Sequence, residues 1–192
     1  MPGPQPLNIF IVAEQFRFAG KLATLAPHLI DRYPEFDFVR GQIMPISSMV
    51  CAAFSLELYL KCLIRLGRRS YEPIHDLEKL FNLNGLKNQI EIKRHWYKNS
   101  SGVVADVEEF YREEGAAIPK IDFNYCLSAS KNAFGVMRYV FEKGVAPHRG
   151  WLGDTIVESA RYVILERHPD WENMRQASLL PKTSFRPTSL IR

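Results

Sequence analysis

Ala52-Ala53-Phe54-Ser55-Leu56-Glu57-Leu58-Tyr59-Leu60-Lys61-Cys62-Leu63, followed after a basic loop by His75-Asp76-Leu77, is the stretch that decides the fold class. Apolar side chains occupy nearly every face of the first segment, which predicts a helix buried on most sides. Glu57 and Lys61 stand one turn apart with the acid on the N-terminal side. That order favours an ion pair, worth roughly 0.3–0.5 kcal/mol on an exposed helix. Spacing alone fits an ordinary surface pair, whereas the apolar neighbours argue for a pair in an interface or cleft. His75-Asp76 has two readings as well. Asp76 suits a helix start and His75 a cap or a packed ring; alternatively, His75 faces a cleft beside Lys61 and the basic run Arg65, Arg68 and Arg69.

The same periodicity extends this helix from Gln42 to Leu66, where Gly67 ends it and Arg68-Arg69 sit at the negative pole of its dipole. Before it, Leu7 to Leu25 repeats apolar residues at helical spacing, and Pro27 and Tyr33-Pro34 mark a connection. After it, a short helix presents Leu77, Leu80 and Phe81. Further helices cover Leu86–Lys98 and the acidic segment Val103–Glu114, separated by Asn99-Ser100-Ser101-Gly102. Asp122 is the candidate cap of a second long helix running to Lys143, with Phe123, Leu127, Ser130, Phe134, Met137 and Phe141 facing inward. Thr155–Arg167 forms a last helix, stopped by Pro169. No alternating strand pattern persists. The expectation is an all-α bundle built on two long antiparallel helices, Gln42–Leu66 and Asp122–Lys143. It forms one domain over residues 1–170, with a loosely attached basic tail over 171–192.

With 192 residues, 46% hydrophobic and 24% charged, the chain has the composition of one soluble globular domain. Residues 173–192 hold Arg175, Lys182, Arg186 and Arg192 and no acid, so the first 172 residues carry equal numbers of basic and acidic side chains. A neutral body with a basic tail is weak support for nucleic-acid binding. Cys51, Cys62 and Cys126 form no C-x-x-C pair, and two of them lie in an apolar helix, which favours a reducing cytoplasm. The uncharged run from Gly41 to Leu56 is too short and too polar to span a bilayer, so no membrane association is expected. Cysteine and histidine do not fall at zinc spacing, no glycine loop cradles a phosphate, and neither metal nor cofactor is expected.

Glu57/Lys61 on an apolar helix followed by His75-Asp76-Leu77 resembles the HEPN superfamily, small all-helical domains often tied to RNA cleavage or nucleotide binding. Asn132-Ala133-Phe134 with Arg138-Tyr139 and Glu142 is similar to the second long helix of some members, so the resemblance covers roughly residues 42–143. It implies a homodimer formed through the long helices, with a basic cleft between subunits. Catalytic members share an Arg-x(4–6)-His motif in that later helix, where Arg binds phosphate and His acts on the ribose 2′-hydroxyl or the leaving oxygen. Here Arg138 is followed by Tyr-Val-Phe-Glu-Lys-Gly, and the next histidine is His148.

The resemblance therefore implies RNA or nucleotide binding without the standard nuclease motif, through Lys61, Arg65, Asn132 and Arg138, joined by Arg69 and His75. Arg contributes a bidentate phosphate fork and Lys a point charge. An alternative is a metal-independent endoribonuclease with a displaced pair, Arg69 orienting phosphate and His75 as acid and base. Arg161 and His168 have similar spacing, but the helix end before Pro169 explains that histidine. A third reading is a protein-interaction or regulatory module without catalysis.

Overall fold

The computed structural model describes residues 4–25, 43–71, 73–133 and 153–173. Among these every regular element is a helix: α1 Pro6–Leu25, α2 Ile43–Leu66, α3 Leu77–Leu83, α4 Leu86–Asn99, α5 Ser101–Glu113, α6 Phe123–Ser130 and α7 Asp154–Arg167. The fold is all-α. None of the described helices is long and apolar enough to cross a membrane.

Helix α2 is the axis of the core because its sequence leaves it almost no polar face. Ala53, Leu56, Tyr59, Leu60, Cys62, Leu63 and Ile64 are all buried. Its antiparallel partner among the described residues is α1. The Cys62 thiol reaches the Pro6 carbonyl at 3.3 Å, the Ser55 hydroxyl donates to the Ala13 carbonyl at 3.0 Å, and the hydroxyls of Thr24 and Ser48 meet at 3.0 Å. Gly20 lets the two helices approach, since a Cβ there would lie 3.2 Å from the Ser48 carbonyl oxygen. Helix α7 packs Ile156, Ala160, Val163 and Ile164 into the same core. The expected second long helix is observed as α6 up to Ser130, with Lys131 and Asn132 in a turn; Phe134, Met137, Arg138 and Phe141 lie outside the described residues.

Capping chemistry fixes the short helices. Asp76 accepts from the Lys79 N–H and Asp122 from the Tyr125 N–H, each at 2.9 Å, so both aspartates are N-caps, each worth about 1 kcal/mol. The turn between α3 and α4 is tied to α2 by Asn84, which is buried and donates to the carbonyls of Leu60 and Leu80.

Helix α2 ends in a way the sequence did not foretell. Gly67 was expected to supply the stop, but the left-handed residue is Arg68, at φ 57°. The Arg69 N–H reaches back to the Ile64 carbonyl and the Arg68 N–H to the Arg65 carbonyl, the paired bonds of a Schellman ending. A side chain in the left-handed region costs about 1–2 kcal/mol, partly offset in the glycine variant by its greater unfolded-state entropy. Arg68→Gly is expected to stabilise the protein by about 0.5–1 kcal/mol, read as a rise of roughly 1–4 °C in the thermal melt.

Candidate functional site

Glu57 is the centre of a polar group embedded in α2. Its residue surface is 1% exposed, yet its carboxylate has two partners. Lys61 Nζ lies 2.6 Å from Oε1, and His75 Nδ1 lies 3.1 Å from both carboxylate oxygens. An ionised carboxylate only accepts, so Nδ1 carries the hydrogen and donates it. The His75 side chain is 62% exposed while Lys61 is 11% exposed. One buried acid therefore orients an imidazole at the surface and a lysine just beneath it. The Glu57–Lys61 pair is buried, not a surface ion pair.

Tyr71 joins this group, with Lys61 Nζ 5.5 Å from its ring centroid. Burial pushes its phenol above the usual range, against the opposing effect of Arg65. Arg65 donates to the Arg69 carbonyl at 3.5 Å, and its Nε is buried without a hydrogen-bond partner.

Arg69 goes elsewhere. Its Nη1 donates to the Leu83 carbonyl at 3.2 Å, at the C-terminal end of α3, whereas His75 precedes the N-terminal end of the same helix. Seven residues of helix separate those ends by about 10 Å. The structure thus brings Glu57, Lys61 and His75 together and does not bring Arg69 to His75. Asn132 is exposed and follows Lys131, whose carbonyl accepts the Leu77 N–H at 2.9 Å, so it sits beside the segment that carries His75. Arg138 lies outside the described residues.

Arg161, the other spacing match, is fully committed to structure. Its Nε lies 2.7 Å from Glu14 Oε1 and its Nη2 lies 3.0 Å from Glu172 Oε1. Glu14 also accepts from the Tyr59 hydroxyl. Burial, then the Glu14 carboxylate, pushes the Tyr59 phenol well up, so it stays protonated and donates. His168 stacks on Trp171 at 4.3 Å.

A second polar locus lies at the other end of α2. A cavity of about 410 Å³ is lined by Arg17, Lys21, His95, Asn99 and Glu158 together with Ser48. Ser48 and Lys61 are about 20 Å apart along the helix, so the cavity and the Glu57 group are separate. Both of its cations are drawn to one carboxylate: Arg17 donates twice to Glu158, each bond 2.9 Å, and Lys21 lies 3.2 Å from the same group. That internal pairing makes it the weaker candidate for a phosphate. Among the described residues no group of three or more His, Cys, Asp or Glu side chains is placed to hold a metal ion.

His95 gives this locus a pH signature. Its Nδ1 is 3.2 Å from the Ser159 hydroxyl and its ring stacks on Tyr162 at 4.0 Å. Burial lowers its pKa, with Glu166 opposing and Lys98 assisting. The unfolded chain therefore takes up this proton at higher pH than the native one does, and stability falls as pH drops from 7 through 6.5 towards the lowered native value. His95→Gln is expected to flatten that part of the stability–pH curve, measured by denaturant unfolding between pH 5 and 7.5. No family model, curated protein or solved structure matches the chain.

Proposed function

We propose that this chain is a HEPN-like cytoplasmic protein that binds RNA or a nucleotide at the surface around Lys61, Arg65, Tyr71 and His75. The observation that carries the reading is the buried Glu57 carboxylate, which holds Lys61 and His75 together while leaving the imidazole largely exposed. Arg65 supplies charge for a phosphate, with Lys61 beneath it held by Glu57; His75 offers a hydrogen bond to phosphate or ribose, and Tyr71 an aromatic face beside them for a base. Arg68, Arg69 and Asn132 extend the polar rim, and Arg138 completes the set implied by the resemblance. Three free cysteines, two of them buried, support a reducing compartment.

The test is a titration of labelled single-stranded RNA, and separately of ATP, across roughly 50–200 mM salt. Affinity should fall with salt, and Arg65→Ala should reduce the logarithmic slope for RNA by about 0.7, the share of one phosphate contact on a single strand. Absence of binding to both ligands at low salt refutes the proposal.

The Glu57–His75 contact favours a second reading, a metal-independent endoribonuclease. A carboxylate that fixes Nδ1–H sets the tautomer in which Nε2 accepts a proton, which suits an imidazole acting on a ribose 2′-hydroxyl. Lys61, rather than the distant Arg69, is the cation beside it. This reading requires cleavage of single-stranded RNA in EDTA that His75→Ala abolishes without unfolding the protein. RNA left intact at high protein concentration refutes it.

A further inference from the structure

Helix α5 is amphipathic, yet none of its residues is buried. Val103, Val107 and Phe110 share one face at helical spacing, and Phe110 remains 42% exposed. Asp106 and Glu113, one turn either side of Phe110, flank it with negative charge. Helix α5 carries Asp106, Glu108, Glu109 and Glu113 against Arg112 alone. Helix α4 shows the reverse pattern. Leu86, Ile90 and Tyr97 form a stripe on its outer face, 71%, 56% and 59% exposed, and Lys87 and Arg94 lie one turn from Ile90 on the same face. Its charges are Lys87, Lys93, Arg94 and Lys98 against Glu91.

We propose that these two faces are one interface: a second copy of this chain seats its acidic α5 face on the basic outer face of α4, and the contact is repeated by a two-fold axis. Each chain carries an apolar stripe edged with bases and another edged with acids, so a second copy supplies both complements without a third molecule. The C-terminal half of the long helix offers no comparable surface: from Leu56 to Ile64 every residue of α2 except Leu58 is buried within its own chain. The proposal places the homodimer implied by the family resemblance on helices α4 and α5.

Sedimentation equilibrium of the full chain in about 50 mM salt, where exposed charges are least screened, should give twice the 22.2 kDa monomer mass. Ile90→Asp should return it to the monomer mass with its helical circular dichroism unchanged, because Ile90 lies outside the core. Lys87→Glu with Arg94→Glu makes both faces acidic, and Asp106→Lys with Glu113→Lys makes both basic. Each of these proteins alone should associate at least tenfold more weakly than the original chain. Mixed in equal amounts, they should form a heterodimer, since both contacts across the two-fold axis are then of opposite sign. A monomeric original chain overturns the proposal, as does a dimer indifferent to Ile90→Asp. A mixture that stays monomeric overturns it too.

Discussion

Arg161→Leu is expected to destabilise the fold by about 3–5 kcal/mol, the cost of breaking a buried ion pair from one side. Arg161 joins α7 to α1 through Glu14, which is 2% exposed, and to Glu172 beyond the end of α7. Losing the guanidinium leaves the Glu14 carboxylate in the core with Tyr59 as its remaining strong partner in this network. Total stabilities of ordinary domains are only about 5–15 kcal/mol, so the variant approaches the threshold of folding. Glu14→Gln in the same background should recover a large part of the loss, because it removes the stranded charge. Urea unfolding of the two singles and the double closes the cycle. Additive losses would contradict the network.

Lys61→Met should cost about 3 kcal/mol, at the lower end of the same range. It strips one partner from a carboxylate that is 1% exposed, but His75 remains on both oxygens of Glu57. The methionine retains the stem that packs in α2, so the loss reports the charge rather than a cavity. His75→Ala removes the more exposed partner and should cost less than Lys61→Met, since water can reach the vacated side of the carboxylate. The order of these two losses is the check: equal or reversed values would mean that Glu57 is not primarily the counterion of Lys61. Equilibrium unfolding at pH 7 measures both.

Much of the architecture was legible in the sequence because it rests on local signals. The apolar wrap of residues 52–63 forced α2 to be buried, Asp76 and Asp122 announced helix starts, and the polar run at 99–102 marked the boundary between α4 and α5, although only Ser100 lies between them. Glu57 and Lys61 were readable as a buried pair on the same grounds, since a charged pair on an otherwise apolar helix has no solvent face to occupy. The misses are long-range. Glu14 and Arg161 are 147 residues apart, and nothing in either neighbourhood names the other. The one available hint was a glutamate between Phe10 and Arg17 on the inward side of α1. Tyr71 carried a faint signal, an aromatic between the basic run and His-Asp-Leu, but its place over Lys61 depends on the turn at Arg68. That turn, with a left-handed arginine where glycine is usual, also carried Arg69 to Leu83 and away from His75. Residue spacing could not reveal that direction.

The central claim is that the Glu57-anchored group contacts phosphate specifically, beyond what net charge does. Fluorescence anisotropy of a labelled single-stranded RNA tests it most directly, with His75→Ala and Arg65→Ala compared against Lys120→Ala. Lys120 is 89% exposed and lies by Asp122, on the connection between α5 and α6, so it matches the loss of one charge without touching the site. Each phosphate or ribose contact is worth about 1–3 kcal/mol as a charge-assisted hydrogen bond, so His75→Ala and Arg65→Ala should each weaken binding roughly tenfold or more. Lys120→Ala should stay within about twofold, as a single surface charge distant from the ligand. Equal weakening by all three variants, or none by any, would contradict the account.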